Sequence, residues 1–184
     1  MSKARGERTL VYCVASTVDH QIAREDESIE GLLTEGHHVT DYLDSLRRYD
    51  TVLMGRRTYD WGCRHGVEPG QPVPAYAHMR QYVFSRTLPA STHPQLEVIR
   101  EDAAAFTRRL KQAPGGSIYL CGGGLLAGQL LEDGLVDELI LKVNPVVFGR
   151  GIPAFGQLAR GCALSLLDAK VYNNGVVFLH YAIT

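Results

Sequence analysis

The 184-residue sequence predicts an α/β fold, namely a three-layer α-β-α domain with a mostly parallel, mixed central sheet and an antiparallel C-terminal hairpin. Three observations predict it. Short apolar runs, typical of buried strands, alternate with segments of helical periodicity. Near the end, Asn173-Asn174-Gly175 separates two strand-like runs, which is a strong hairpin signal. No linker, internal repeat or low-complexity tract divides the chain, so residues 1–184 are expected to form a single domain.

The first half of the chain supplies four predicted strands and two helices. The apolar run TLVYCVAS is the first strand, and HVTDYLDSLRRYD is a helix. The apolar positions of that helix are Val39, Tyr42, Leu43 and Leu46. TVLMG is the second strand, and RRTYDW begins the second helix. QYVFS and LEVI are the third and fourth strands, and they follow a Gly/Pro-rich loop, RHGVEPGQPVPAY.

The second half adds two helices and four strands. DAAAFTRRLKQA is a helix that ends at Pro114, Gly115 and Gly116. SIYLCG is the fifth strand, LLAGQLLEDG is a helix that ends at Gly134, and DELILKVNPVV is the sixth strand. LSLLDAKVY and GVVFLHYAI form the predicted hairpin. The apolar runs of the sixth strand and the hairpin exceed what one face of a small sheet needs, so we expect a homodimer through sheet-edge or hairpin contacts.

Composition narrows the functional classes. The net charge is −1 and the basic residues are spread along the chain, which argues against a broad nucleic-acid surface. No apolar run is long enough to span a bilayer. The four cysteines form no close pair and the seven histidines show no metal-ligand spacing. We therefore expect a cytoplasmic protein without a metal site, bound to neither nucleic acid nor membrane.

The first candidate anion site follows the second strand. Gly55 ends that strand, and Arg56 and Arg57 stand where a helix begins. Because a helix N-terminus disfavours cations, two arginines there indicate an anion that binds both the guanidinium groups and the free backbone N–H groups. Thr58 would cap the helix or donate its hydroxyl to a phosphate. The alternative is that both arginines point to solvent.

A second candidate site follows the third strand. Ser85, Arg86 and Thr87 come directly after the apolar run. Two hydroxyls and a forked guanidinium suit a phosphate monoester. The alternative is an ordinary polar turn.

The third candidate site is a glycine triplet. Gly122–Ala127 fits the pattern G-x-G-x-x-A, which allows a pyrophosphate to approach the backbone at a helix N-terminus. The turn follows a late strand, and Asp137 and Glu138 precede the next strand instead of ending it, so the ordinary Rossmann interpretation fails. A phosphate cradle remains, beside the alternative that the glycines serve tight packing. No lysine of a nucleotide triphosphatase follows them.

With these turns identified, the chain resembles the dihydrofolate reductase-like superfamily, most closely the reductase domain of bacterial riboflavin biosynthesis. Five stretches carry the resemblance in order along the chain: ASTVDHQIA, YDTVLMGRRTYDW, YVFSRTL, IYLCGGGLLAGQLLEDGLVDELIL and PVVFGRGIPAF. The resemblance implies NADPH as cofactor, and it implies a homodimer.

The resemblance also assigns residues to parts of the cofactor. Gly55, Arg56, Arg57 and Thr58 would hold phosphates, and Ser85 and Arg86 would lie near the 2′-phosphate. The turn formed by Cys121, Gly122, Gly123, Gly124, Leu125 and Leu126 would cover the pyrophosphate. Ala15 and Ile22 would meet the nicotinamide carboxamide through their backbones.

Two departures from the family concern the substrate end. His20 stands where glycine is usual, although histidine tolerates a positive φ better than most residues. Folate reductases carry an acid in the first helix, facing the pterin. Here the apolar periodicity turns Val39 inward and leaves Asp41 off that face. Candidates for the proton donor are therefore Asp19, Asp41 or a water, with Glu35 a further nearby carboxylate, and folate is not the expected main substrate.

The sequence thus predicts an NADPH-dependent reductase that passes a hydride to a C=N or C=O bond of a small heteroaromatic substrate, pterin- or pyrimidine-like. Two alternatives stay open. One is the 5-amino-6-(5-phosphoribosylamino)uracil reductase of riboflavin biosynthesis, and the other is a protein that binds NADPH without catalysis.

Overall fold

The computed structural model describes residues 7–184 and confirms the predicted class. The main sheet consists of β1 (Leu10–Ser16), β3 (Tyr49–Gly55), β4 (Arg80–Phe84), β5 (Leu96–Ile99), β6 (Ser117–Gly122), β7 (Glu138–Val143), β9 (Leu164–Val171) and β10 (Val177–Ile183). The helices are α1 (His37–Ser45), α2 (Arg56–Arg64), α3 (Ala103–Gln112) and α4 (Gly124–Glu132). All the strands and helices predicted from the sequence are present.

The strand order of the main sheet is β5-β4-β3-β6-β1-β7-β10-β9. The first six strands in this spatial order, β5, β4, β3, β6, β1 and β7, run parallel to one another. Strand β10 is antiparallel to both of its neighbours, β7 and β9. The turn between β9 and β10 contains Asn173-Asn174-Gly175, and Gly175 has a φ of 86° that favours glycine. The mostly parallel sheet and its C-terminal hairpin are therefore both confirmed.

Two cores, one on each face of the sheet, make the three layers. Along β1, Leu10, Tyr12 and Val14 pack with α3 and α4. The alternate residues Val11 and Cys13 pack with the opposite core, to which α1 and α2 contribute. This alternation is the two-residue period of a strand buried on both faces.

A second, two-stranded sheet was missed from the sequence. It pairs β2 (Gln21–Ala23) antiparallel with β8 (Ile152–Pro153). These strands are too short to give an apolar period. They hold the loop after β1 against the segment that follows β7.

The expected apolar face of α1 is wrong in part. Leu43 is 50% exposed, and the buried residue of the helix is His38. A polar ring can be buried there because both of its nitrogens have partners. Nε2 donates to the Leu33 carbonyl at 3.0 Å, and Nδ1 accepts from the Asn174 amide at 3.0 Å. The second bond joins the start of α1 to the hairpin turn.

Candidate active site

A cavity of about 570 Å³ opens at the carboxyl ends of the parallel strands. This is the edge at which α/β sheets bind their ligands. Eleven of the residues predicted to hold a cofactor line it: Ala15, Ile22, Gly55, Arg56, Arg57, Thr58, Cys121, Gly123, Gly124, Leu125 and Leu126. The cavity therefore unites the first and third candidate turns with the end of β1.

One side of the cavity is a glycine–arginine rim, formed by Gly55, Arg56, Arg57, Thr58, Gly123, Gly124 and Leu125. It contains the N-termini of α2 and α4, and within the described chain no side chain caps either helix. The two turns touch, because a Cβ on Gly55 would lie 3.6 Å from the Gly123 nitrogen. Two sets of free N–H groups thus converge, which suits an anion with two phosphates.

The rim arginines bond to neighbouring side chains instead of pointing freely to solvent. Arg56 Nε donates to Asp60 at 2.7 Å, and its Nη1 donates to the Thr87 hydroxyl at 2.6 Å. Arg57 Nε donates to Glu27 at 3.2 Å, and Arg64 pairs with the same carboxylate. Glu27 also lines the cavity. The rim therefore holds two cations whose charge is partly neutralised by side chains.

The second candidate turn lies beside the rim, outside the cavity lining. The Ser85 hydroxyl accepts from the backbone N–H groups of Thr87 and Leu88, at 3.2 and 2.9 Å, and Arg86 is exposed. The bond from Arg56 to Thr87 ties this turn to the start of α2. The structure thus leaves Ser85 and Arg86 next to the rim, on the same side as Arg56.

The glycine triplet combines a cavity role with a packing role. Gly122 has a φ of 116°, which favours glycine, although it does not line the cavity itself. A Cβ on Gly124 would lie 2.0 Å from the Pro153 carbonyl oxygen, and one on Gly128 would lie 2.1 Å from that of Phe155. The packing alternative is therefore confirmed for Gly124, and α4 needs Gly124 and Gly128 to pack on this segment. The phosphate cradle stays a prediction.

The predicted proton donors lie outside the cavity lining. Asp19 accepts from the Thr17 hydroxyl, at 2.5 Å, and from the Phe148 and Gly149 N–H groups, and these bonds lower its pKa. Lys170 and the Tyr172 hydroxyl likewise lower the pKa of Asp41. A carboxyl with a lowered pKa is a poor proton donor near neutral pH.

Two further residues named for this end of the site are Glu35 and His20. Glu35 is exposed. His20 adopts a φ of 57°, which confirms that histidine accepts the left-handed turn where glycine is usual.

Apart from Cys121, the residues on the other side of the cavity were missed from the sequence. A tyrosine cluster, formed by Cys13, Tyr42, Tyr76, Tyr119, Cys121 and Lys142, lines it. The Tyr42 and Tyr119 hydroxyls are 3.0 Å apart, and the Tyr76 hydroxyl is 3.4 Å from the Cys121 sulfur. Burial raises the pKa values of these phenols and thiols, so all of them are neutral near neutral pH.

Lys142 is the basic member of the tyrosine cluster. It comes from the end of β7, and its Nζ lies 3.3 Å from the centre of the Tyr42 ring. The one available signal in the sequence was a lysine inside the apolar run ELILKV. Burial lowers its pKa.

None of the helices within residues 7–184 has the length and apolar character needed to cross a membrane. The same residues contain no group of three or more His, Cys, Asp or Glu side chains arranged to hold a metal ion.

Sequence comparison finds relatives along nearly the whole chain. The family model of the RibD C-terminal domain matches residues 8–178. The uncharacterized protein YwjB of Bacillus subtilis (strain 168) is 37% identical over 176 residues, which cover 95% of this chain and 98% of YwjB.

Solved structures share the fold at low identity. A protein from Shewanella sp. PV-4 named for riboflavin biosynthesis superimposes with a TM-score of 0.79 at 18% identity, over 96% of this chain and 99% of that one. The diaminohydroxyphosphoribosylaminopyrimidine deaminase/5-amino-6-(5-phosphoribosylamino)uracil reductase of Thermotoga maritima gives 0.72 at 17% identity. That match covers 97% of this chain and 57% of the Thermotoga chain. At these identities the likeness concerns the fold alone.

Proposed function

Since the chain belongs to the RibD C-terminal domain family, we propose that it is a reductase that takes a hydride from NADPH and passes it to a small heteroaromatic substrate, pterin- or pyrimidine-like. One observation carries the proposal. Two uncapped helix N-termini and two arginines converge on a cavity that continues to a cluster of neutral hydroxyls. Such a cavity has one end suited to an anion and one end suited to a polar ring.

The residues of the rim fit the phosphates of NADPH. The first N–H groups of α2 and α4 and the Thr58 hydroxyl would donate to the pyrophosphate, with Arg56 and Arg57 adding charge. Ser85 and Arg86, beside Arg56, would receive the 2′-phosphate. Cys121 and Gly122 lead into this turn, and Leu125 and Leu126 follow it.

The hydride end of the cofactor would lie between the rim and the tyrosine cluster. Ala15 and Ile22 line the cavity there and are the residues proposed to meet the nicotinamide carboxamide. Bound NADPH supplies the hydride, and the chain orients the two rings and excludes water.

Titration with NADPH and with NADH tests the proposal. Trp61, the single tryptophan of the sequence, lines the cavity, so its fluorescence reports binding. We expect NADPH to bind at least about tenfold more tightly than NADH, because a charge-assisted bond to the 2′-phosphate is worth about 1.5–3 kcal/mol. Equal or absent binding of the two would refute the 2′-phosphate assignment.

The riboflavin pathway offers a second candidate function. The Thermotoga protein with this fold is named as a 5-amino-6-(5-phosphoribosylamino)uracil reductase, and its name also includes a deaminase. The test is NADPH oxidation in the presence of the phosphoribosylamino-pyrimidinone. Turnover of that compound favours this reading. NADPH binding without oxidation across a broad substrate panel favours a non-catalytic binding protein.

We also infer a homodimer through β9. All the residues of this edge strand are exposed, and Leu164, Leu166, Leu167 and Val171 are 41–74% exposed. An apolar edge strand of this length is ready to pair with a second copy. Light scattering over a concentration series tests the inference, and a monomer at every concentration would refute it. The four cysteines are free, which fits the reducing cytoplasm that we propose as its location.

A further inference from the structure

Lys142 is a partly buried lysine with no carboxylate partner among residues 7–184. Among residues 7–184, no carboxylate lies within salt-bridge distance of its Nζ, whose recorded contact is the face of Tyr42. The other charged groups of the cavity have partners: Arg56 pairs with Asp60, and Arg57 pairs with Glu27. An unpaired charge out of water lowers stability, so it is retained where it serves a function.

The groups that face Lys142 leave its charge uncompensated. Cys13 on β1, Cys121 on β6 and Tyr42 on α1 lie close to it, and Phe178 is its partner on β10. Burial raises the pKa values of both thiols and of the phenol, so they remain protonated and neutral. The same burial lowers the pKa of Lys142, which makes its ammonium a stronger acid.

The register of the sheet places Lys142 at the junction of the two ends of the cavity. In the parallel pairing of β1 with β7, Lys142 lies directly opposite Ala15. Ala15 is the residue proposed to meet the nicotinamide. A substrate ring against the nicotinamide would therefore lie beside the Lys142 ammonium.

We propose that Lys142 is the proton donor of the reduction, and that the substrate presents to it the acceptor atom of a conjugated C=O or C=N bond. This rests on the proposed function. The tyrosine cluster offers an ammonium and three phenol hydroxyls, and its members include no carboxylate. It suits an edge of hydrogen-bond acceptors, whereas a 2-aminopyrimidine edge, rich in donors, needs a carboxylate.

The step balances in atoms and electrons. The carbon of the C=O or C=N bond gains the hydride supplied by NADPH, which leaves as NADP⁺. The π pair of that bond moves onto the oxygen or nitrogen, and a bond from that atom to hydrogen forms as an N–H bond of Lys142 breaks. The neutral amine then regains a proton from water.

Three variants test the role of Lys142, with isatin as a planar carbonyl probe and dihydrofolate as the donor-edged comparison. Lys142→Met removes the charge at similar volume, and Lys142→Arg keeps the charge but is a much weaker acid. Arg160→Met removes a charge from an exposed side chain outside the cavity lining and outside β9, and is the control. Quenching of Trp61 measures isatin binding without any turnover.

Lys142→Met should weaken isatin binding by roughly tenfold and lower kcat for NADPH oxidation by roughly 100-fold. Lys142→Arg should keep isatin binding within about threefold of the wild-type value. Its kcat should fall by roughly 100-fold, as in Lys142→Met. The wild-type kcat should fall as the pH rises through the pKa of Lys142, and this fall should be absent in Lys142→Arg. Arg160→Met should match the wild type in both measurements.

Isatin binding and turnover that survive Lys142→Met within about threefold would overturn the proton-donor role. Faster turnover of dihydrofolate than of isatin, or no binding of isatin to the wild type, would overturn the substrate class. Isatin binding that depends on Lys142 in a protein that does not bind NADPH would support the acceptor site and refute the proposed function. The two proposals can therefore fail separately.

Discussion

The glycine–arginine rim and the tyrosine cluster line the same cavity but are built in opposite ways. The rim comes from two turns, at the starts of α2 and α4, and its arginines are partly exposed and paired. The cluster comes from separate strands, a helix and the short turn Pro74–Tyr76, and within residues 7–184 no carboxylate pairs with its lysine, Lys142. The rim is therefore suited to binding a charged group, and the cluster is suited to reacting with a neutral one.

This difference has an energetic side. Ion pairs between exposed side chains contribute little to stability. The phosphates of a ligand can therefore replace the carboxylate partners of the arginines at low cost. A partly buried unpaired ammonium lowers stability whether or not a ligand is bound. Substitution of a rim arginine should therefore change affinity, and substitution of Lys142 should change stability and chemistry.

The largest effect is expected where the rim meets the packing of α4. Gly124→Ala puts a Cβ 2.0 Å from the Pro153 carbonyl oxygen, so α4 must move. We expect a loss of about 3 kcal/mol in the free energy of unfolding, measured by urea denaturation. Gly62→Ala is the matched control, because its Cβ would meet only Val67, at 3.5 Å, and should stabilise α2 by about 0.5–1 kcal/mol. An unchanged midpoint for Gly124→Ala would show that α4 is not held by this contact.

The next effect separates the rim from the cluster by affinity. Arg57→Ala should raise the Kd for NADPH by roughly tenfold, because one charge-assisted bond to a phosphate is lost. The thermal midpoint should change little, since this arginine is 70% exposed. Fluorescence titration checks the first expectation and calorimetry the second. Lys142→Met should leave the NADPH Kd near that of the wild type. An equal loss of NADPH affinity in both variants would show that the rim and the tyrosine cluster do not differ in cofactor binding.

A smaller effect, of opposite sign, is expected on stability in the cluster. Lys142→Met should raise the free energy of unfolding by on the order of 1 kcal/mol at neutral pH. The pKa of Lys142 is lower in the folded protein than in the unfolded chain, so the unfolded chain binds more protons between those two values. The free energy of unfolding of the wild type should therefore rise with pH across that window. Near the ordinary lysine pKa of about 10.4, Lys142→Met should no longer be more stable than the wild type. Urea denaturation in a pH series measures both. A variant less stable than the wild type at neutral pH would contradict the unpaired charge.

The smallest effect concerns the pairing of the rim. Glu27 holds Arg57 and Arg64, so Glu27→Gln frees both for a ligand. We expect NADPH and inorganic phosphate to bind about two- to fivefold more tightly, the scale of an exposed ion pair. Isothermal titration of each ligand is the measurement, and weaker phosphate binding in the variant would mean that Glu27 organises the rim instead of competing for it.

The rim was predictable from the sequence because its signals are local. Arg56 and Arg57 after a strand, and glycines between a strand and a helix, are recognisable within a few residues. The tyrosine cluster has no such signal, because Tyr42, Tyr119 and Lys142 come from distant parts of the chain and meet only in the folded sheet. Tyrosines in apolar runs are also typical of ordinary core residues.

The errors have the same physical origin. His38 was not expected to be buried, since its partners Leu33 and Asn174 are brought to it by the loop before α1 and by the hairpin. Asp19 was a candidate acid by position alone, and the backbone N–H groups that hold its carboxylate come from residues 148 and 149. In each case a long-range hydrogen bond decides what the local pattern cannot.

A crystal structure of the protein soaked with NADP⁺ tests the central claim most directly. We predict the pyrophosphate at the N-termini of α2 and α4, the 2′-phosphate beside Arg86, and the nicotinamide next to Ala15 with Lys142 facing the space above it. A dinucleotide bound elsewhere, or a nicotinamide that lies away from Lys142, would contradict the account.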